Sequence, residues 1–253
     1  VSSSGLGIGL PPSLDLLDDL QAQANKQLDE VARELPLDDV EVVVRVGAPS
    51  GVMLEASETA DLVAIGSRGR GGFAGLLLGS VGGQVAAHAE CPVVVLRDLP
   101  LPLGREIVVG VDGSRGSQSA LAFAFDEASR HGYSLVAVHA WDVPAYDLLV
   151  VPNGPVPIPL TDVADSEIRL TAEVLAGFRD DYPDVPVEER LIRSSPVQAL
   201  VGATENAAML VVGTRGHGLA VGALLGSVSN GVLHKAKVPV CVVPVVDQGP
   251  SAA

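Results

Sequence analysis

Apolar positions along this chain follow two patterns. Leu14, Leu17, Ala24, Leu28, Val31 and Leu35 recur at helical spacing and predict an amphipathic helix. Ser13 can cap it, Asp15 and Asp18 lie near its positive dipole end, and Pro36 stops it. Short apolar runs follow, and EVVVRV (41–46), DLVAIG (61–66) and CPVVVL (91–96) read as strands. Residues 48–59 read as a short helix, and a further helix starts at Ser80. RDLPLPLG (97–104) is a proline-marked linker. Beyond it come a strand within Arg105 to Ser114, a helix closed by Gly132 and a strand over 134–142. A loop rich in Pro and Gly is expected over 143–160. Elements like those of the first half then return, with Ser195 and Pro196 suited to N-cap and first helical position. Strands alternating with helices predict a parallel sheet covered on both faces, with right-handed crossovers.

The return is a sequence repeat. The pattern G-x-x-G, nine residues, G-S occurs at Gly66, Gly69, Gly79 and Ser80, and again at Gly213, Gly216, Gly226 and Ser227, with one offset of 147. The same offset carries Pro36 to Pro183, Pro49 to Pro196 and Pro92 to Pro239 without a gap. Two copies of one unit are therefore expected, as domains over 1–98 and 105–247. The first copy has no counterpart of Arg105 to Asp142, so it reads as lacking its front β-α-β portion.

Composition narrows the function. The 253 residues suit two domains, and the low aromatic content leaves a core of Val, Leu, Ala and Ile. A net charge of −15 disfavours nucleic acid and anionic membrane. Cys91 and Cys241 sit in apolar runs and read as reduced core thiols. No leader, lipidation or membrane-spanning motif is present, which makes the cytoplasm the expected location.

The repeated motif supplies the chemistry. A strand delivers the chain to Gly213, and Gly213 and Gly216 allow positive φ or close approach of a ligand to the main chain. Gly226 gives access to a helix N-terminus where Ser227 adds a hydroxyl, an arrangement that favours an anion. Arg215 and His217 lie inside the loop, as Arg68 and Arg70 do in the first copy, and suggest a local attraction for polyphosphate. Asp112 ends the first strand of the second half, on the edge where open α/β sheets bind ligands, and can accept from a ribose hydroxyl or adenine amine. As the residue before Gly113 it can equally serve a turn or a helix cap. His139 reads as a core histidine satisfied by backbone or as a functional one.

The doubled motif, the VVGVDGS strand end and the CPVVV and VPVCVV terminal strands together resemble the tandem-domain universal stress protein family. The resemblance implies tandem open parallel sheets of Rossmann-like, adenine nucleotide α-hydrolase-like fold. It implies ATP as ligand, with Mg2+ carried on its phosphates. Asp112 would contact the adenosine, Ala140 would border the adenine, and the motif glycines and serines of both copies would hold phosphates. It also implies pairing through the terminal strands, within one chain or between chains, giving a pseudo-twofold pair of repeats and a homo-oligomer. The expected function is a nucleotide-dependent regulatory protein of the stress response, with an unidentified protein partner. The alternatives are a slow ATP hydrolase, which no G-x-x-x-x-G-K-[ST] motif supports, and a ligand-free interaction module.

Overall fold

The computed structural model describes residues 14–67, 78–97, 104–141, 149–151, 154–156, 160–216 and 225–245. The chain divides into two compact units, Val1–Ala48 and Pro49–Ala253.

In the first unit the expected helix is present as α1 (Leu14–Glu34), and Leu20, Leu28, Val31 and Leu35 stay exposed. The expected strand over 41–46 does not form. A strand needs a ladder partner for its backbone groups. The second copy of this segment pairs with a strand over Ser134–Trp141, and the first copy of that partner is not in the sequence.

The second unit holds a sheet assembled from both repeats. Its elements in chain order are α2 (Pro49–Ser57), β1 (Val63–Gly66), α3 (Ser80–His88) and β2 (Val93–Leu96) from the first repeat. From the second come β3 (Glu106–Gly110), α4 (Arg115–His131), β4 (Ser134–Trp141), β5 (Leu149–Val151), β6 (Gly154–Val156), α5 (Leu160–Asp181), β7 (Val187–Arg193), α6 (Pro196–Gly202), β8 (Ala207–Gly213), α7 (Ser227–Lys235) and β9 (Val240–Val243). The seven strands run in the order β1-β2-β9-β8-β3-β4-β7. All neighbours are parallel except β2 and β9, which are antiparallel. The antiparallel hairpin β5–β6 lies within the segment expected as loop.

The β2–β9 register is self-equivalent. Val94 faces Cys241, its own counterpart 147 residues on, with Val93 opposite Val242 and Val95 opposite Val240. A local twofold axis thus passes between the repeats, and the two apolar terminal strands close each other's hydrogen-bonding edges. Arg97 reinforces the seam by donating to the Leu233 carbonyl in the last turn of α7.

One sheet face carries a core that runs through both repeats. Val63, Val93 and Val95 join Leu210, Val212, Val240 and Val242 beneath residues of α3, α6 and α7. The other face is packed mainly by α4, with Leu121, Ala124 and Phe125 over Val109, Val211 and Cys241. Phe125 stacks on Phe178 at 5.3 Å and on Tyr182 at 5.5 Å, joining α4 to the α5 end. Burial pushes both thiols upward in pKa, Cys241 strongly, and both are unbonded and buried.

Candidate functional site

At the carboxyl ends of β3, β4 and β8 a cavity of about 530 Å3 opens. That volume falls within the range that holds a small organic ligand. Its lining includes Asp112, Ala140, Gly213, Arg215, Gly216, Gly226 and Ser227. These are all of the site residues expected in the second repeat, gathered from β4, β8, the turns that follow β3 and β8, and the start of α7.

Local sequence explains how each is placed. Asp112 follows β3 and turns back on itself: its Oδ1 accepts from Ser114 N at 3.0 Å, and Gly113 takes φ +77°. The turn role and the ligand-edge position therefore coexist. Ser114 then caps α4 by accepting from Ser117 N at 3.1 Å. The N-terminus of α7 is different. Its cap is Gly226, which has no side chain to offer, and no side-chain capping bond is made. The first-turn amides of α7 face the cavity rim without an intrahelical partner, and no acidic residue occupies that turn. The helix dipole adds partial positive charge at the same point.

The glycines act through close approach. Among the described residues only Gly113 and Gly132 have positive φ, so Gly213, Gly216 and Gly226 do not use that freedom. A Cβ on Gly213 would lie 2.4 Å from Gly116 O, and one on Gly116 would lie 1.9 Å from Arg215 O. The pair lets the start of α4 meet the exit of β8, backbone against backbone. A Cβ on Gly216 would lie 2.3 Å from Asp112 Oδ2, so this glycine seats the carboxylate against the loop. Gly226 N donates to Thr214 O at 2.7 Å, and a Cβ there would come within 3.2 Å of the same oxygen. The Cβ-free surface thus first serves protein packing, where the sequence suggested positive φ or the approach of a ligand.

Arg215 is exposed on the cavity rim; His217, Arg68, Arg70 and Gly69 lie outside the described residues. In the first repeat Gly66 ends β1, and Gly79 and Ser80 open α3. Gly79 N donates to Ser67 O at 2.8 Å, as Gly226 N does to Thr214 O. The cap angles agree closely: φ −76°, ψ 161° at Gly79 and φ −66°, ψ 159° at Gly226. Counterparts of Asp112 and Ala140 are absent from the sequence.

His139 does not reach the cavity. It is buried, with Nδ1 2.7 Å from Val111 O and Nε2 2.8 Å from Glu167 Oε2 on α5. A carbonyl only accepts, so Nδ1 carries a proton and donates it. His88 and His234 bond to carbonyls of their own helices. Sequence reasoning missed Ser117, Pro196, Leu200 and Ser229, which also line the cavity. Pro196 and Leu200 carried a helical pattern, but nothing local shows that α6 closes the apolar wall of the site.

Among the described residues no group of three or more His, Cys, Asp or Glu is placed to hold a metal ion. No described helix is long and apolar enough to cross a membrane.

Comparison with known proteins agrees with this architecture. The profile of the universal stress protein family matches residues 4–97 and 104–244. Universal stress protein Rv2005c of Mycobacterium tuberculosis is 43% identical over 204 residues, covering 77% of this chain and 65% of the relative. The chain thus spans less than two thirds of that protein. A universal stress protein of Mycolicibacterium smegmatis is 36% identical over 232 residues, 87% of this chain and 74% of the relative. The crystal structure of a universal stress protein from Archaeoglobus fulgidus DSM 4304 superposes with a TM-score of 0.69 at 24% identity, over 96% of this chain and 84% of that one. At that identity the likeness concerns the fold.

Proposed function

Since the chain belongs to the universal stress protein family, we propose that the cavity of its second repeat binds ATP and that occupancy makes the protein a nucleotide-dependent regulator of a stress response. One observation carries this reading: a carboxylate at the end of β3 and an uncapped helix N-terminus face the same cavity. In this assignment Asp112 accepts from the adenosine moiety, and Ala140 with Leu200 gives an apolar wall to the base. The amides of Ser227 and Val228, the Ser227 hydroxyl and Arg215 take the phosphates. Mg2+ rides on those phosphates, held by oxygen and water as is usual for this ion.

The residues fit such a ligand on structural grounds. The α7 amides need an acceptor, Gly213, Gly216 and Gly226 bring no side chain into the lining, and the dimensions suit a nucleoside. The first test is the nucleotide released on denaturing freshly purified protein, followed by turnover of added ATP. Retained ATP with negligible phosphate release is the expected result. Turnover of many per second would make the protein an enzyme, and neither nucleotide nor affinity would make it an interaction module. Asp112→Ala should cost about tenfold in ATP affinity, the scale of one charge-assisted hydrogen bond, and reduce selectivity for adenosine over other nucleosides. Unchanged affinity and selectivity by calorimetric titration would remove Asp112 from the site.

A further inference from the structure

Ser229 has no counterpart hydroxyl in the first repeat, where the same offset places Gly82. It sits in the first turn of α7, is only 3% exposed, and touches the cavity lining. Its Oγ donates to Gly213 O at 2.7 Å and lies 3.2 Å from Thr214 O. A serine hydroxyl has one hydrogen, which here is spent on these carbonyls. Ser229 therefore differs from Ser227, whose side chain is exposed at the rim. It has no proton left for a ligand.

The two carbonyls it engages belong to the stretch that leaves β8 and enters the glycine loop. A backbone that must present amides to an anion has to turn its carbonyl oxygens elsewhere, because an oxygen dipole facing phosphate opposes binding. Gly226 N already ties Thr214 O to the start of α7 at 2.7 Å. The Ser229 bond adds Gly213 O to the same clasp, from the helix that supplies the free amides. In the first repeat the equivalent of the Gly226 bond is kept, Gly79 N to Ser67 O, while Gly82 has no side chain with which to add the second.

We propose that Ser229 is the positioning residue of the second repeat's phosphate cradle: by fixing the Gly213 and Thr214 carbonyls it orients the exit of β8 and the α7 amides toward a polyphosphate. The inference rests on the nucleotide reading of the cavity. It also makes the second repeat the better preorganised of the two motifs for an anion.

Calorimetric titration of the full chain with ATP plus Mg2+, and separately with adenosine, tests it. Ser229→Ala should lose about tenfold in ATP affinity, the scale of one lost orienting bond, while adenosine affinity stays within about twofold. Ser229→Thr, which keeps the hydroxyl, should recover most of the ATP affinity. If the Ala chain fails to fold, Ser229→Cys keeps the shape with a much weaker donor and should show the same split between ligands. Equal loss of ATP and adenosine affinity would reduce Ser229 to a structural residue, and unaltered ATP affinity would overturn the inference alone. A wild-type protein that takes up neither ligand would overturn the nucleotide reading itself.

Discussion

The β1–α3–β2 unit and the β8–α7–β9 unit are two copies of one sequence pattern in one sheet, yet they live in different surroundings. On the face beneath α3, α6 and α7 they match: Val63 and Leu210, Val93 and Val240, Val95 and Val242 are all buried. On the opposite face they part. Val211 and Cys241 are fully buried under α4, whereas Ala64 is exposed and Val94 half-buried. Leu96 is 46% exposed and its counterpart Val243 is 3% exposed. Hydrophobic pattern specifies which side of a strand is capable of burial. Whether that side is buried depends on a helix being there to cover it. The contrast extends to the site: both copies make the same glycine cap at a helix start, but the cavity described here is completed by β3, β4 and α6, which come from outside the repeated strand–loop–helix unit.

Charge placed on the unmatched face should separate the two copies most sharply. Val211→Asp is expected to unfold the protein or cost more than about 4 kcal/mol, since it buries an unpaired carboxylate under α4. Ala64→Asp, at the equivalent exposed position, should stay within about 0.5 kcal/mol. Urea unfolding monitored by circular dichroism measures both, and equal losses would mean that the first copy's face is covered too. Truncation at the strand ends should give a smaller gap. Val243→Ala should cost about 2 kcal/mol and Leu96→Ala well under about 1 kcal/mol. The cap glycines should differ least. Gly226→Ala brings a methyl to 3.2 Å from Thr214 O and should cost about 1 kcal/mol, while Gly79→Ala meets Ser67 O at 3.6 Å and should be nearly silent in stability. Any loss of ATP affinity in Gly226→Ala must therefore be read beside its stability, because the methyl presses on protein as well as on the proposed phosphate. Cys241, buried and protonated, should resist alkylation in the native protein and react only on unfolding, which mass spectrometry can follow.

Much of this was legible in the chain. The repeat located both glycine caps, and Asp112 was recognisable from its place at a strand end. The helix at Leu14–Glu34 followed from apolar spacing, with Pro36 just beyond it. The segment 41–46 was misread because a run of valines states only a capacity for pairing, and pairing needs a neighbour. The 143–160 segment hid a hairpin because its prolines and glycines outweighed three-residue strands. The motif glycines were found for an incomplete reason: a sequence shows that a side chain is missing, but not which atom fills the space. Gly116, whose position in α4 meets Arg215 O, had no signal marking it as Gly213's partner.

The amino-acid sequence by itself determined the repeat, most strands and helices of the main sheet and the two helix starts capped by glycine, because these depend on residues near one another in the chain. Tertiary structure decided the self-equivalent β2–β9 seam, the uneven cover of the two sheet faces and the convergence of Asp112, Ala140, Leu200 and Ser227 on one cavity. Those features are set by which distant backbones hydrogen-bond and which helices reach a given face, and contacts of that range leave no periodic trace along a single strand of sequence.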